Sequence, residues 1–360
     1  MESQIYNFYA GPAVMPQKVL AEAKEEMLDF SSTGMSVMEI SHRAKPFEAI
    51  IQEAEANIKE LLLLGDDYQV LFLQGGASLQ FSMLPLNYLG PDQTADYILT
   101  GSWSEKALKE AKKIGTTHVA ATTADNKYRN IPQEIKLSAA PTYVHLTSNN
   151  TIFGTQWHAF PDTGDFPLCG DMSSDIMCRP IPADRFSLIY AGAQKNLGPS
   201  GVTIVIIRKS FLEKALDVPY TMLKYATHGD SDSLYNTPPS FSVYMVNLVT
   251  RWLKEEGGLA AIEKKNTAKA QCIYDAIDKS KDFYKGHAEK DSRSLMNITF
   301  TIGNEILEKA FAAEAEKEGL VGLKGHRSVG GLRASTYNAL PMEAAKTLAQ
   351  FMEQFQKKNG

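Results

Sequence analysis

One lysine carries the chemistry most worth asking of this chain. Lys195 lies in Tyr190-Ala-Gly-Ala-Gln-Lys-Asn-Leu-Gly-Pro-Ser-Gly201, a glycine-rich turn between two apolar, β-branched segments, 187–191 and 202–207. A lysine that faces an interior loses hydration, so its ammonium form is disfavoured and more of it exists as the neutral amine. Neutral amine can attack a carbonyl and hold an aldehyde as a Schiff base. Gly192, Gly198 and Gly201 would allow unusual dihedrals and a close approach of backbone to a bulky ligand. The competing interpretation is a solvent-facing hairpin, since most lysines sit in water.

Upstream groups bear on that choice. Asp171 closes the segment Leu168-Cys-Gly-Asp-Met172, where a carboxylate would keep the ring nitrogen of pyridoxal phosphate protonated; alternatively it caps the Ser173-Ser174 turn. Gly75-Gly76-Ala77-Ser78 offers backbone N–H groups at a helix N-terminus for a phosphate, or is only a tight turn. Trp103, in Gly101-Ser-Trp, would stack on a planar ring or be a structural tryptophan. Thr151 would hydrogen-bond a phenolic oxygen, or simply belong to a turn of Ser and Asn. Gln194 would donate to phosphate. Each group is ambiguous alone, but together they supply a stacker, a phosphate cradle, a nitrogen partner and a Schiff-base lysine for pyridoxal phosphate.

The elements that must position them follow from periodicity. Pro16 opens a helix to about Phe30, and Pro46 a second to about Leu64, with His42 and Arg43 in the loop before it. Strands are expected at 68–73, 95–100, 117–121, 142–146, 168–172, 187–191 and 202–207, with helices at 79–87 and 104–114, the latter capped by Ser104. Such alternation predicts an α/β fold with a mainly parallel seven-stranded sheet, helices on both faces, and ligands beyond the carboxyl ends of the strands. A long polar loop spans 227–240. Helices follow at 244–255 and on to about Ile277, then a strand at 294–301, a helix at 304–318 and a terminal helix from Pro341. The expected division is a large domain of residues 16–260 and a smaller α/β domain of 1–15 with 261–360.

A length of 360 residues exceeds what one core usually supports, about 250–300 residues, which agrees with two domains. A net charge of −5 argues against general affinity for nucleic acid or anionic membrane. Cys169, Cys178 and Cys272 form neither a disulfide framework nor a metal-binding spacing, so no metal is expected. No leader-like start and no apolar run approaching about 18 residues is present, and the expected compartment is the cytoplasm.

Several motifs together are similar to the phosphoserine aminotransferase family, class V pyridoxal phosphate enzymes of fold-type I. They are Asn7-Phe-Tyr-Ala-Gly-Pro-Ala, Ser41-His-Arg, Gly75-Gly-Ala-Ser, Thr100-Gly-Ser-Trp-Ser, Ser148-Asn-Asn-Thr-Ile-Phe-Gly, Asp171-Met-Ser-Ser, the Lys195 turn, Tyr235-Asn-Thr-Pro-Pro and Gly325-His-Arg-Ser-Val-Gly-Gly-Leu-Arg. The resemblance runs nearly end to end. It implies a homodimer with shared active sites that converts glutamate and 3-phosphohydroxypyruvate to O-phosphoserine and 2-oxoglutarate in serine biosynthesis, with a further role in pyridoxine biosynthesis. It implies Lys195 as the catalytic lysine, Trp103 as stacker, Asp171 as pyridinium partner, and Gly76, Ala77, Gln194 and Thr151 as cofactor contacts. Asn236 and Thr237 would reach the neighbouring subunit's cofactor. Some members have arginine where Ala77 stands, so substrate anions would be met by His42, Arg43, His326, Arg327 and Arg333, with Arg333 on the α-carboxylate. The alternatives are an alanine–glyoxylate or serine–pyruvate aminotransferase, and a non-catalytic phosphate-ligand binder on the same fold. A cysteine desulfurase is disfavoured, because its reactive loop cysteine has no obvious counterpart here, Cys272 being the one cysteine left to weigh.

Overall fold

The computed structural model describes residues 4–360. The strands of the large sheet are β1 (Tyr68–Leu73), β2 (Thr94–Leu99), β3 (Thr116–Thr122), β4 (Pro141–Thr147), β5 (Leu168–Asp171), β6 (Phe186–Gly192) and β7 (Thr203–Arg208), apolar in the interior of the sheet and mixed at the edge strand β3. They form one seven-stranded sheet in the order β1-β7-β6-β5-β4-β2-β3. All neighbours are parallel except β7, which is antiparallel to both β1 and β6.

Alternation along each strand assigns two faces. Val70, Phe72, Ile189, Ile204 and Ile206 join one buried cluster with α1 (Gln17–Glu25), α2 (Lys45–Leu61) and the later helix Ser240–Glu255. Leu71, Leu73, Tyr190, Val205 and Ile207 join another with α3 (Gly76–Tyr88) and α4 (Ser102–Ala111). Helices therefore cover both faces, and the carboxyl ends of the parallel strands share one edge.

Several boundaries depart from the sequence expectation. The first helix ends at Glu25 and gives way to a short 3-10 turn, Phe30–Ser32. Helix α3 starts at Gly76 rather than Leu79, directly behind its glycine turn. Ser104 is not the cap of α4 but its third residue; its hydroxyl accepts from Thr100 N at 3.0 Å and Gly101 N at 3.2 Å. The 227–240 stretch is not an open loop, because Tyr225–Gly229 is a short helix and the Ser233 hydroxyl accepts from Phe72 N at 2.9 Å.

A further buried cluster is built by α6 (Gly258–Asp278), α7 (Glu305–Lys317) and α8 (Met342–Asn359), α5 being Ser240–Glu255, around the sheet β8 (Lys285–Gly286), β9 (Asn297–Thr301) and β10 (Leu332–Ser335). Asn304 caps α7, its side chain accepting from Ile306 N at 2.9 Å and Leu307 N at 3.2 Å. The two-residue strand Tyr6–Asn7 pairs with Leu320–Val321, which brings Phe8 into the same cluster. Helix α6 runs through both cores: Leu259 and Ile262 pack with the large sheet, Ala270 and Ile273 with the C-terminal cluster. No helix among the described residues is long and apolar enough to cross a membrane.

Of the small domain expected over 1–15 and 261–360, residues 1–3 lie outside the described residues; we propose that 4–15 and 261–360 behave as one unit with its own cooperativity, centred on Phe311, which is fully buried against Phe300, Phe351 and Phe355. Phe311→Ala should cost about 3–5 kcal/mol of stability, and backbone amides of β9 and α8 should exchange faster while those of β6 do not. Hydrogen exchange measures this, and equal acceleration in both sheets would show a single unit.

Candidate active site

At the carboxyl edge of the large sheet lies a cavity of about 470 Å³. The loops after β1, β2, β4, β5 and β6 bring Gly76 and Ala77, Trp103, Thr151, Asp171, and Gln194 with Lys195 to its wall. From the C-terminal core come Arg333 and His326. Nine of the residues singled out in the sequence thus meet in one place.

Lys195 is half-buried as a residue and lines the cavity. Its Nζ donates to Thr151 Oγ1 at 2.9 Å and lies 6.0 Å from the centre of the Trp103 ring. Burial pushes the amine down to about 8, opposed by the Asp171 carboxylate and assisted by the Arg333 cation. Asp171 is buried, and its Oδ1 accepts from Ser173 N at 2.9 Å and Ser173 Oγ at 2.6 Å. Both bonds land on Oδ1, and none is formed by Oδ2 among the described residues. Desolvation raises the Asp171 carboxyl above its ordinary range, while the Ser173 bonds and Lys195 pull it back. No ion pair joins Asp171 to Lys195, so the lysine is not locked as an ammonium.

The alternative considered for Asp171, a cap on the Ser173-Ser174 turn, is realised together with its position in the cavity. Trp103 sits in the first turn of α4, its indole Nε1 buried without a partner among the described residues. Lys106 Nζ stands 4.1 Å from the centre of that ring. The turn needs Gly101: its φ is +150°, and a Cβ there would stand 1.9 Å from Asn150 Nδ2. Ahead of α3, Gly75 and Gly76 have φ of +86° and +64°, and added bulk at Gly76 meets nothing within 4 Å. The first-turn N–H groups of α3 thus remain open to an anion.

Arg333 is not on a turn but on β10, paired with Thr299 of β9, and its Nη1 donates to Thr151 O at 3.1 Å. Its Nε is buried without a partner. His326 Nδ1 contacts Ser328 Oγ at 2.7 Å, and burial together with Arg333, Arg327 and Lys106 lowers its pKa.

Other expected residues do not reach this cavity. Arg327 lines an adjoining cavity of about 730 Å³ that shares His326 and Arg333. His42 and Arg43 lie in the turn before α2, with Arg43 exposed and His42 Nε2 buried and unpartnered. Asn236 and Thr237 lie in the loop before α5, where Thr237 O accepts from Gln74 Nε2 at 3.3 Å. Gly192 and Gly198 make room for the chain itself: a Cβ would stand 2.6 Å from Gln194 Oε1 and 3.2 Å from Val246 Cγ2 respectively. Cys272 is on α6, outside the cavity, and burial raises its thiol pKa, which is the opposite of a reactive thiolate.

Sequence reasoning missed Ala10, Gly11, Thr147 and Asn149 as wall residues. A Cβ on Gly11 would stand 3.3 Å from Lys195 Cγ, so the N-terminal strap lies directly against the lysine stem. Only the Gly-Pro step hinted at it.

The residues present fit pyridoxal phosphate on their own chemistry: an amine without a counter-ion, a buried carboxylate with an unpaired oxygen, an aromatic face and an open helix N-terminus border one cavity. The Aminotransferase class-V family model matches residues 5–348. The phosphoserine aminotransferase of Lysinibacillus sphaericus (strain C3-41) is 59% identical over 361 residues, covering 100% of either chain. Among solved structures, the phosphoserine aminotransferase from Bacillus circulans subsp. alkalophilus is similar with a TM-score of 0.98 at 55% identity, over 99% of each chain. The pyridoxal phosphate-bound phosphoserine aminotransferase from Trichomonas vaginalis has a TM-score of 0.92 at 37% identity, over 97% of this chain and 100% of that one. With a matching family model over nearly its whole length and full-length relatives above half identity, the chain belongs to the class-V aminotransferase family.

Proposed function

We propose that the chain is a pyridoxal phosphate-dependent transaminase that moves an amino group between glutamate and 3-phosphohydroxypyruvate, giving O-phosphoserine and 2-oxoglutarate. The observation that carries this is the desolvated Lys195 amine beside Asp171 and Trp103, in a chain whose full-length relatives are phosphoserine aminotransferases. Serine biosynthesis is the process this activity serves. A second reading, transamination of the phosphorylated keto acid of pyridoxine biosynthesis, needs the same anion pockets.

When bound, pyridoxal phosphate supplies an aldehyde carbon for the amino group and a ring that draws electrons away from the substrate Cα. Lys195 Nζ would take the proton from Cα and return it to the cofactor side, with Thr151 Oγ1 orienting the amine. The Asp171 carboxylate would hold a proton on the ring nitrogen, itself kept in place by Ser173. Trp103 would cover the ring face, and the N–H groups of Gly76, Ala77 and Ser78 with Gln194 would take the phosphate. Because Ala77 brings no charge, Arg333 and His326 remain for the substrate's own anions.

A homodimer with shared sites accords with Asn236, Thr237, His42 and Arg43 lying outside the cavity of their own chain. The exposed apolar residues Leu28, Met35 and Met38 are consistent with such a partner. We assign the enzyme to the cytoplasm.

Lys195→Ala should lower transamination by at least about 10³-fold and abolish the visible band that added pyridoxal phosphate develops on the unsubstituted protein; full turnover in the variant would refute the assignment. With 2-oxoglutarate as acceptor, O-phosphoserine should exceed serine in kcat/KM by at least roughly tenfold, and a preference for serine would point to the serine–pyruvate type. Because Lys195 is held near 8 rather than in its ordinary range, its neutral fraction rises with pH up to that value and then saturates. Capture of pyridoxal phosphate by the cofactor-free protein should therefore climb about tenfold per pH unit and level off near pH 8. A plateau reached only near pH 10 would mean that the amine is solvated.

A further inference from the structure

A second buried lysine has no part in that chemistry. Lys269, on α6, is 2% exposed and has no carboxylate partner among the described residues. Burial pushes its pKa down to about 7, and two backbone carbonyls take hydrogens from it in either charge state: Nζ donates to Tyr337 O at 2.7 Å and Asn338 O at 3.2 Å. These two residues form the turn that follows β10, the strand carrying Arg333.

The turn is fastened to the catalytic edge at three points. Asn338 N donates to Asn196 Oδ1 at 3.0 Å, and Asn196 is the neighbour of Lys195. Asn338 Nδ2 donates to Met177 O at 2.9 Å, within the segment that follows Asp171. The Tyr337 hydroxyl donates to Ala10 O at 2.8 Å, fixing the strap whose Gly11 lies against the lysine stem. Asn266, one turn before Lys269 on α6, completes the clamp with bonds from Nδ2 to Asn338 Oδ1 at 2.8 Å and Cys178 O at 2.9 Å.

We propose that Lys269 is a positioning residue for Lys195, acting through the turn of Tyr337 and Asn338. Without its Nζ, Asn338 O loses its side-chain donor and Tyr337 O keeps only Leu340 N at 2.9 Å, so the turn is held less tightly against Asn196 and Ala10. Small displacements of a reacting group have large rate effects, up to about 10²-fold for 1 Å. Arg333 is tied separately, by Thr151 O, so substrate binding should be affected less than turnover.

This inference rests on the transaminase reading for its kinetic arm only. In Lys269→Met, kcat should fall on the order of tenfold with KM for both substrates within about twofold. In the cofactor-free full chain, amides of residues 193–198 should exchange on the order of tenfold faster, with those of β1 unchanged. Should the methionine variant fail to fold, Lys269→Gln, which keeps a donor, is read on the same measurements and should fall between the two. A lowered melting temperature with wild-type kcat and wild-type exchange at 193–198 would reduce Lys269 to a structural role and overturn the proposal. An inactive unsubstituted protein would end the transaminase reading alone, because the exchange measurement needs neither substrate nor cofactor.

Discussion

The constraint on which the site depends is that two opposite charges share one cavity without neutralising each other by contact. Were the Asp171 carboxylate to meet Lys195 directly, the ion pair would hold the amine protonated and remove it from chemistry. Instead Ser173 holds Asp171 through Oδ1, while Thr151 Oγ1 takes the lysine. Desolvation then outweighs the residual attraction of Asp171, and the neighbouring Arg333 cation adds to it. The result is an amine near 8, able to exchange protons at ordinary pH.

Sheet topology makes that arrangement possible. Parallel strands deliver all their carboxyl ends to one edge, so the loops after five of them can converge there. The single antiparallel strand, β7, returns from the Lys195 turn between β1 and β6, with Thr203 paired to Gly192 and Leu73. A parallel crossover at that point would need a long connection. The short return instead keeps Lys195 on a turn anchored at both ends by central strands.

The parts legible in the sequence are those whose cause is local. Most strands of the large sheet carry short apolar, β-branched stretches, and Asp171, Trp103 and Lys195 stand at or just after strand ends. What the sequence hides depends on partners far along the chain. Arg333 reads as part of a glycine turn, yet it lies on a strand held by Asn297–Thr301 and reaches Thr151, 182 positions away. Tyr337 is tied to Ala10 across 327 positions. The glycines near Lys195 illustrate a subtler failure: small size suggests space for a ligand, whereas Gly198 yields space to Val246 of α5, an element with no local signature in that turn.

Charge distribution explains why this cavity suits doubly anionic substrates. Among the described residues its wall carries the Arg333 cation and the Lys195 amine against the single carboxylate of Asp171, with His326, whose pKa is lowered, as a further hydrogen-bonding group. A phosphate held by side-chain cations would use up that excess. Held by the amides of α3 it does not, since partial charges at a helix N-terminus, equivalent to about half an elementary charge, do the same work without a lysine or arginine. Ala77 in the first turn is compatible with this division, because a small side chain leaves those N–H groups accessible. On the proposed assignment the two cores separate the tasks: the large sheet would supply the cofactor's partners, and the C-terminal core would present Arg333 and His326 to the anion that enters beside them.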